Sequence, residues 1–141
     1  MPLPPDAACI TIRGCAGALS QVHDWLQDFM RDQSFGTKLC HDLTLITEEL
    51  LMNSVRHGVV KAKQVTIHVW LDGAEVWLEF QDQGAAFNPL DVATPDLSAD
   101  LTTRRIGGLG IHLIKQLADH VCYRYQDGVN YLRIGKALRR E

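Results

Sequence analysis

The chain has 141 residues, a length that suits one domain with one hydrophobic core. Hydrophobic residues make up 46% of the chain and charged residues 22%, which is a globular composition and excludes an intrinsically disordered chain. The net charge is −3 with no basic stripe, which argues against a nucleic-acid partner, and the apolar runs are too short to span a bilayer.

The N-terminus and the cysteines both predict a cytoplasmic protein. The first six residues lack the basic flank and the long apolar stretch of a signal peptide. None of the four cysteines has the Cys-x-x-Cys spacing of metal ligands, so we interpret them as reduced thiols packed as small apolar groups. The six histidines likewise show no spacing that predicts a zinc site.

The first part of the chain predicts a short strand followed by two helices. Residues 9–13 alternate apolar and polar side chains, as in a strand. Apolar residues recur at helical spacing from residue 16 to about residue 31. Gly36 then breaks the chain, and Thr37 is predicted to cap a longer helix that stops at Gly58.

The rest of the chain predicts two β-hairpins. In each of them, two strands flank an Asp-Gly pair, which is a strong turn signal. The first hairpin joins residues 65–71 to 75–81 through Asp72-Gly73, and the second joins residues 121–125 to 131–134 through Asp127-Gly128. We interpret the three tryptophans as core or sheet-face residues rather than a partner surface; they are Trp25, Trp70 and Trp77.

Between the hairpins lies an irregular segment followed by a helix. Residues 88–105 have no period and include Pro89 and Pro95. Such a long irregular segment in a small domain is usually a functional lid. Residues 111–119 then place apolar side chains along one helical side.

A first motif pairs Glu49 with Asn53 on the second predicted helix. Their four-residue spacing puts both side chains on one helical face, one turn apart. An amide oxygen can ligate Mg²⁺, and a carboxylate beside it can orient or deprotonate a nucleophile. The alternative is that both are ordinary polar residues of a solvated helix. Glu48 lacks this spacing, so we expect it to face solvent or a partner.

A second motif runs from Asp82 to Phe87, directly after a predicted strand. A carboxylate at the strand end can accept a hydrogen bond from an exocyclic amine such as that of adenine. Gly84 has no side chain, so the backbone there can approach a flat base closely, and Phe87 would close the pocket wall. The alternative is a plain turn that leaves the strand.

A third motif is the glycine cluster Gly107-Gly108-Leu109-Gly110, which opens the third predicted helix. Free N–H groups at a helix start attract anions, and the preceding Arg104 and Arg105 would add positive charge toward a phosphate. No Gly-Lys-Ser/Thr follows, so this is not a P-loop, and no strand directly precedes it, which argues against a dinucleotide fingerprint. The alternative is a flexible linker.

Taken together and in this order, the three motifs resemble the ATP site of the histidine-kinase-like (GHKL) ATPase superfamily. The compact frame resembles its branch of anti-sigma-factor serine/threonine kinases, from about Thr37 to Lys136, including His57-Gly58 after the asparagine and Asn130 in the closing hairpin. The resemblance implies one domain over residues 1–141 with a lid at about 88–107. It also implies the GHKL, or Bergerat, ATP-binding fold: a two-layer α/β sandwich whose helices cover one face of a mixed, mostly antiparallel sheet.

The same resemblance implies a role for each motif residue. Glu49 would be the catalytic base or water-orienting group, and Asn53 would hold Mg²⁺ against the ATP phosphates. Asp82 would bind the adenine amine. The residues implied to bind the cofactor are Asn53, Asp82, Gly84, Phe87, Arg105, Gly107, Gly108, Leu109 and Gly110.

The implied function is that of an ATP- and Mg²⁺-dependent kinase that acts on a separate protein. Members of the branch phosphorylate a serine or threonine of a small anti-sigma-factor antagonist and sequester a sigma factor, and many dimerise, which leaves a homodimer open. Neither a nucleic acid nor a membrane is expected as a partner. One alternative is an ATP-gated protein-binding regulator without kinase activity. Another is a protein that binds no nucleotide, in which the glycines and Asp82 are only turns.

Overall fold

The computed structural model describes residues 2–13, 17–57, 64–86, 88 and 108–138, with the backbone alone at 53–57 and 108–111. Within these residues the chain forms five strands and three helices. In chain order they are β1 (Ala8–Arg13), α1 (Ala18–Asp32), α2 (Thr37–His57), β2 (Gln64–Asp72), β3 (Glu75–Gln83), α3 (Gly108–Leu117), β4 (His120–Gln126) and β5 (Val129–Ala137).

The strands form one sheet in the order β1-β2-β3-β5-β4. Each pair of neighbouring strands is antiparallel. The helices pack on one side of this sheet, so the predicted two-layer α/β sandwich is confirmed. The core lies between the layers and contains apolar side chains from all three helices and from the sheet face beneath them; the most deeply buried include Val22, Leu26, Met30, Leu43, Ile46, Ile67, Val69, Leu78, Ile114 and Ile134.

The two hairpins turn as two-residue loops. Asp127 and Gly128 both have positive φ, 53° and 78°, which is the pattern of a type I′ turn, so the prediction for this hairpin is confirmed. The first hairpin differs from its prediction by one residue. Asp72 pairs with Glu75, so the turn residues are Gly73 and Ala74. Gly73, with φ 59°, takes the first turn position, where a type II′ turn favours glycine.

Two helix starts also differ from their predicted positions. The N–H of Cys40 donates to the carbonyl of Gly36 at 3.0 Å. Gly36 therefore holds the cap position and Thr37 is the first helical residue, so the prediction of Thr37 as the cap is wrong by one residue. The helix α3 begins at Gly108 rather than at residue 111 and ends at Leu117 rather than at residue 119. Glycine disfavours helix, which hid this first turn from the sequence pattern.

Strand alternation places a second set of side chains on the sheet face opposite the helices. The Trp70 and Trp77 rings lie there, stacked with centroids 6.5 Å apart, and Trp77 also stacks on His120 at 5.5 Å. Trp25, in contrast, packs against the core from α1. The interpretation of the tryptophans as core or sheet-face residues is therefore confirmed.

A carboxylate is also buried on this face. Glu79 is 1% exposed and lies 3.2 Å from the Arg133 guanidinium. Its cross-strand neighbour His68 is partly buried, and this burial lowers the pKa of His68, although the negative charge of Glu79 acts in the opposite direction. The negative charge of Glu79 on this face is therefore balanced within the sheet by the guanidinium of Arg133.

The close packing of Trp77 over Gly135 predicts a stability effect. A Cβ atom at Gly135 would lie 2.7 Å from the Trp77 ring, so we expect Gly135→Ala to displace this ring and lower the free energy of unfolding by about 1–3 kcal/mol. Urea denaturation measures the change. In a Trp77→Leu background the loss should shrink, because the ring is the obstacle; an equal loss in both backgrounds would contradict this explanation.

Candidate functional site

The helix α2 carries the first motif on one stripe of its surface. Asp42, Ile46, Glu49 and Asn53 follow at intervals of four, three and four residues, so they lie along a single helical face. Asp42 and Ile46 are buried and Glu49 is half-buried, so the stripe emerges from the core toward its C-terminal end. The backbone of Asn53 belongs to α2, and its side chain is outside the described part of the structure.

The neighbouring Glu48 differs from its sequence-based prediction in exposure. It is half-buried, as Glu49 is, so burial does not distinguish the two glutamates. Only Glu49 shares the stripe that continues to Asn53, since Glu48 is rotated by about 100° around the helix axis. The choice of Glu49 over Glu48 therefore depends on which side of the helix each position faces rather than on how exposed its side chain is.

Asp82 is held by a hydrogen-bond network on the helix side of the sheet. It is the last residue but one of β3 and pairs there with Asn130 of β5. The Asn130 amide donates to Asp82 Oδ1 at 3.0 Å and to the carbonyl of Ala85 at 3.0 Å, and its oxygen accepts a hydrogen bond from the Tyr123 hydroxyl. Asn130 is 6% exposed. A buried amide bonded on both ends keeps one orientation, so it fixes the carboxylate of Asp82.

The backbone at Gly84 is fixed by the hairpin of β4 and β5. Its N–H donates to the carbonyl of Gly128 at 3.1 Å, and its own carbonyl accepts from the Tyr125 hydroxyl at 2.8 Å. Gly84 has φ 146°, a backbone conformation that favours glycine. The chain therefore leaves β3 beside Asp82 along a defined path without a side chain at this position.

Sequence reasoning noted Asn130 but missed Tyr123 and Tyr125. A register signal was present, because Tyr125 is two residues before the predicted Asp127-Gly128 turn and therefore pairs with Asn130. Alternation then puts Tyr123 on the same face as Tyr125. The turn that sets the hairpin thus also sets which tyrosines reach the end of β3.

The glycine motif begins a helix that packs against α2. Gly108 is the first residue of α3, and Leu109 and Gly110 belong to its first turn. The first N–H groups of a helix have no partner within the helix, so this end suits an anion. The described parts of all three motifs, on α2, β3 and α3, lie on the same side of the sheet.

Several predicted site residues lie outside the described part of the structure. They are Gly58, Phe87, Arg104, Arg105, Gly107 and, apart from Asn88, the predicted lid. Their roles stay predictions. Within the described residues, no group of three or more histidine, cysteine, aspartate or glutamate side chains is placed to hold a metal ion. In the same part of the chain, none of the helices combines the length and apolar character that crossing a membrane requires.

Comparison with protein families and curated proteins shows which family the chain belongs to. The family described as histidine kinase-like ATPase domain matches residues 15–136. The chain is 30% identical over 112 residues to the serine/threonine-protein kinase BtrW of Bordetella bronchiseptica, covering 78% of this chain and 79% of that protein. It is 28% identical over 102 residues to the serine-protein kinase RsbW of Listeria monocytogenes, covering 68% of this chain and 65% of that protein. The chain thus spans less than two thirds of the Listeria relative.

Solved structures share the fold at low sequence identity. The RsbU and RsbW domains of Rv1364c from Mycobacterium tuberculosis align with a TM-score of 0.70 and 16% identity, over 99% of this chain and 34% of that one. The histidine kinase AdeS of Acinetobacter baumannii aligns with a TM-score of 0.52 and 14% identity, over 94% of this chain and 68% of that one. At these identities the likeness shows the fold alone.

Proposed function

Since the chain belongs to the histidine kinase-like ATPase family, in the branch of the BtrW and RsbW serine-protein kinases, we propose that it is an ATP-dependent kinase of a separate protein. The observation that carries this proposal is the network in which Asn130 fixes the carboxylate of Asp82, on the side of the sheet where α2 presents Glu49. A carboxylate held in one orientation on this side of the sheet supports the proposal, because phosphoryl transfer depends on positioning.

The described residues at the end of β3 fit an adenine base. A carboxylate accepts hydrogen bonds and donates none, so Asp82 pairs with the exocyclic amine of adenine. Guanine has a carbonyl at the equivalent position, and two acceptors facing each other repel. Gly84 leaves room for a flat ring beside it. Asn130 is a positioning group here, because its amide holds one oxygen of the carboxylate.

We expect Asp82→Asn to weaken the preference for ATP over GTP. The amide presents a donor as well as an acceptor. We therefore expect the ratio of the GTP dissociation constant to the ATP dissociation constant to fall by about tenfold to a hundredfold, as for loss of a charge-assisted hydrogen bond. Competition binding with both nucleotides measures the ratio. Asp72→Asn, at the exposed end of β2, removes the same charge and should leave the ratio unchanged. An unchanged purine preference in Asp82→Asn would remove this residue from the adenine site.

Residues of α2 and α3 are proposed to hold the triphosphate. The Asn53 amide oxygen would be the protein ligand of Mg²⁺, and the first N–H groups of α3, at Gly108 and Gly110, would bind phosphate oxygens. Bound Mg²⁺ would neutralise charge on the phosphates during transfer. Arg105 and Gly107 would extend the same anion site toward the preceding residues.

Glu49 is proposed to act as the general base. Its carboxylate would accept the proton of a substrate serine or threonine hydroxyl as that oxygen bonds to the γ-phosphorus, while the bond from this phosphorus to the ADP oxygen breaks. The products are ADP and a phosphorylated side chain. A half-buried carboxylate at position 49 is suited to this step because positions 49 and 53 are one turn apart on the same face of α2.

The proposed protein substrate is a small anti-sigma-factor antagonist. The second proposed partner is a sigma factor, which the chain sequesters. A pull-down tests both partners. The immobilised chain captures proteins from a lysate of its native cell, with and without ATP, and the captured proteins are then searched for phosphorylated residues. We expect one captured protein to gain a phosphoserine or phosphothreonine only with ATP. Capture that never leads to phosphorylation would favour an ATP-gated binding protein instead.

A further inference from the structure

A partly buried lysine joins the two helices proposed to hold the phosphates. Lys136 extends from β5 on the helix side of the sheet, and its side chain is 14% exposed. Its ammonium lies 3.3 Å from Asp42 Oδ2 on α2 and donates to the carbonyl of Leu117, the last residue of α3, at 2.7 Å. Lys38 contacts the same Asp42 oxygen at 3.3 Å, but its side chain is 72% exposed. We call Lys136, Asp42 and the Leu117 carbonyl the lysine link.

The lysine link lies about two helical turns from a residue of the proposed site on each helix. Asp42 precedes Glu49 by seven residues on the same stripe of α2, about 10 Å along the helix axis. Gly110 precedes Leu117 by seven residues on α3, again about 10 Å. Both helices therefore share one anchor, and Glu49 and Gly110 lie at about equal axial distances from it. A lysine at the C-terminus of α3 also complements the helix dipole.

Stability alone does not account for a buried ion pair in this position. Taking a carboxylate and an ammonium out of water is costly, and apolar residues of similar size are often equally stable or more so. Leu39 and Leu43, near Asp42 on α2, and Ile114, one turn before Leu117 on α3, all belong to the hydrophobic core. Hydrogen bonds have direction where apolar contacts do not, so the lysine link adds a fixed relative placement of α2 and α3.

We propose that Lys136 is a positioning residue that sets the start of α3 against Glu49 and Asn53, so that the phosphates of ATP meet both helices at once. The proposal rests on the function proposed above and extends it to a residue that does not touch the nucleotide. The adenine end of the site depends instead on Asp82 and Asn130, and Asn130 lies six residues, about 20 Å, from Lys136 along β5.

Lys136→Met tests the inference by comparing nucleotides with and without the terminal phosphates. We expect the dissociation constant for MgATP to rise about tenfold while that for AMP changes by less than about twofold, a shift typical of residues that couple sites. Lys38→Met is the matched control, because Lys38 contacts the same Asp42 oxygen at the same distance from within α2 itself, through a side chain that is 72% exposed. It should leave both constants unchanged, and Lys136→Arg should restore much of the MgATP affinity.

The double variant Asp42→Leu/Lys136→Met separates positioning from stability. It replaces the ion pair with apolar side chains, so it should fold as well as the wild type. We still expect it to bind MgATP about tenfold more weakly, since the directional bond to Leu117 is lost. Wild-type MgATP affinity in a fully stable double variant would overturn the inference.

Amide hydrogen exchange in the protein without nucleotide supplies a readout that does not depend on ATP binding. We expect the amides of α3 to exchange faster in Lys136→Met than in the wild type or in Lys38→Met. Equal exchange in all three proteins would overturn the inference. A wild type that binds no MgATP would overturn the proposed function and the inference with it, whereas wild-type binding with an unchanged MgATP-to-AMP ratio in Lys136→Met would overturn the inference alone.

Discussion

Replacing Glu49 by alanine should lower the rate of phosphoryl transfer by a factor of about 10² to 10⁴, the contribution expected of a general base. The affinity for MgATP should change little, because the carboxylate is proposed to act on the substrate hydroxyl rather than on the nucleotide. Incorporation of labelled phosphate into the captured protein substrate measures the rate, and calorimetry measures the affinity.

Glu48→Ala is the matched control for this experiment. It removes the same side chain from the adjacent position of α2, and Glu48 is half-buried to a similar degree. Transfer should therefore survive in Glu48→Ala and be lost in Glu49→Ala. If both variants transfer phosphate at the wild-type rate, neither glutamate is the base. If the wild type and both variants capture their partner with ATP and none of them transfers phosphate, the chain is an ATP-gated binding protein without kinase activity. Loss of phosphoryl transfer in Glu48→Ala alone would show that the base is Glu48 and not Glu49.

Replacing Asn53 by alanine should abolish the dependence of nucleotide binding on Mg²⁺. The amide oxygen is the proposed protein ligand of the ion, and without it we expect the MgATP affinity to fall by roughly a hundredfold, toward the value without Mg²⁺. Calorimetry with and without MgCl₂ measures the difference. Circular dichroism should show an unchanged fold.

Asn53→Asp supplies the control for the alanine variant. An aspartate keeps an oxygen ligand at the same place, so binding should stay Mg²⁺-dependent. The loss in Asn53→Ala is then attributable to the ligand atom rather than to disturbance of α2. Unchanged MgATP affinity in Asn53→Ala would remove this residue from the metal site.

Local patterns predicted most of the fold. Alternation and helical spacing found every described strand and helix, and the Asp127-Gly128 turn lies where it was predicted because both positions accept positive φ. The errors occurred where glycine acts against a local rule. Gly73 takes the first turn position and shifts the first hairpin by one residue, and Gly108 starts a helix that glycine disfavours.

The site was predicted where its groups lie close in sequence and missed where they meet only in the folded chain. The spacing of Glu49 and Asn53 is visible in one helix. The bond from Tyr125 to Gly84 spans 41 residues, and the contact between Lys136 and Asp42 spans 94 residues. Such contacts depend on strand order, which the sequence pattern alone leaves open. The sequence analysis noted Asn130 only through the resemblance to the anti-sigma-factor kinases, and the structure supplied its hydrogen bonds.

Buried polar groups were the least predictable feature of the chain. Glu79 and Asp42 are nearly inaccessible to water, although aspartate and glutamate are seldom buried. Each is compensated by cations from β5, Arg133 for Glu79 and Lys136 for Asp42. Because the sequence separations are large, neither pair follows from periodicity. The register of β3 and β5 brings Arg133 beside Glu79, and the packing of α2 against the sheet brings Asp42 to Lys136.

The central claim is that residues from α2, β3 and α3 form one Mg²⁺-dependent ATP site. A crystal structure of the chain with Mg²⁺ and a non-hydrolysable ATP analogue tests it most directly. We predict that the adenine amine lies within hydrogen-bond distance of Asp82, the metal on the Asn53 oxygen, and the phosphates at the first N–H groups of α3. A nucleotide bound elsewhere, with Asp82, Asn53 and Gly108 around no common ligand, would contradict the account.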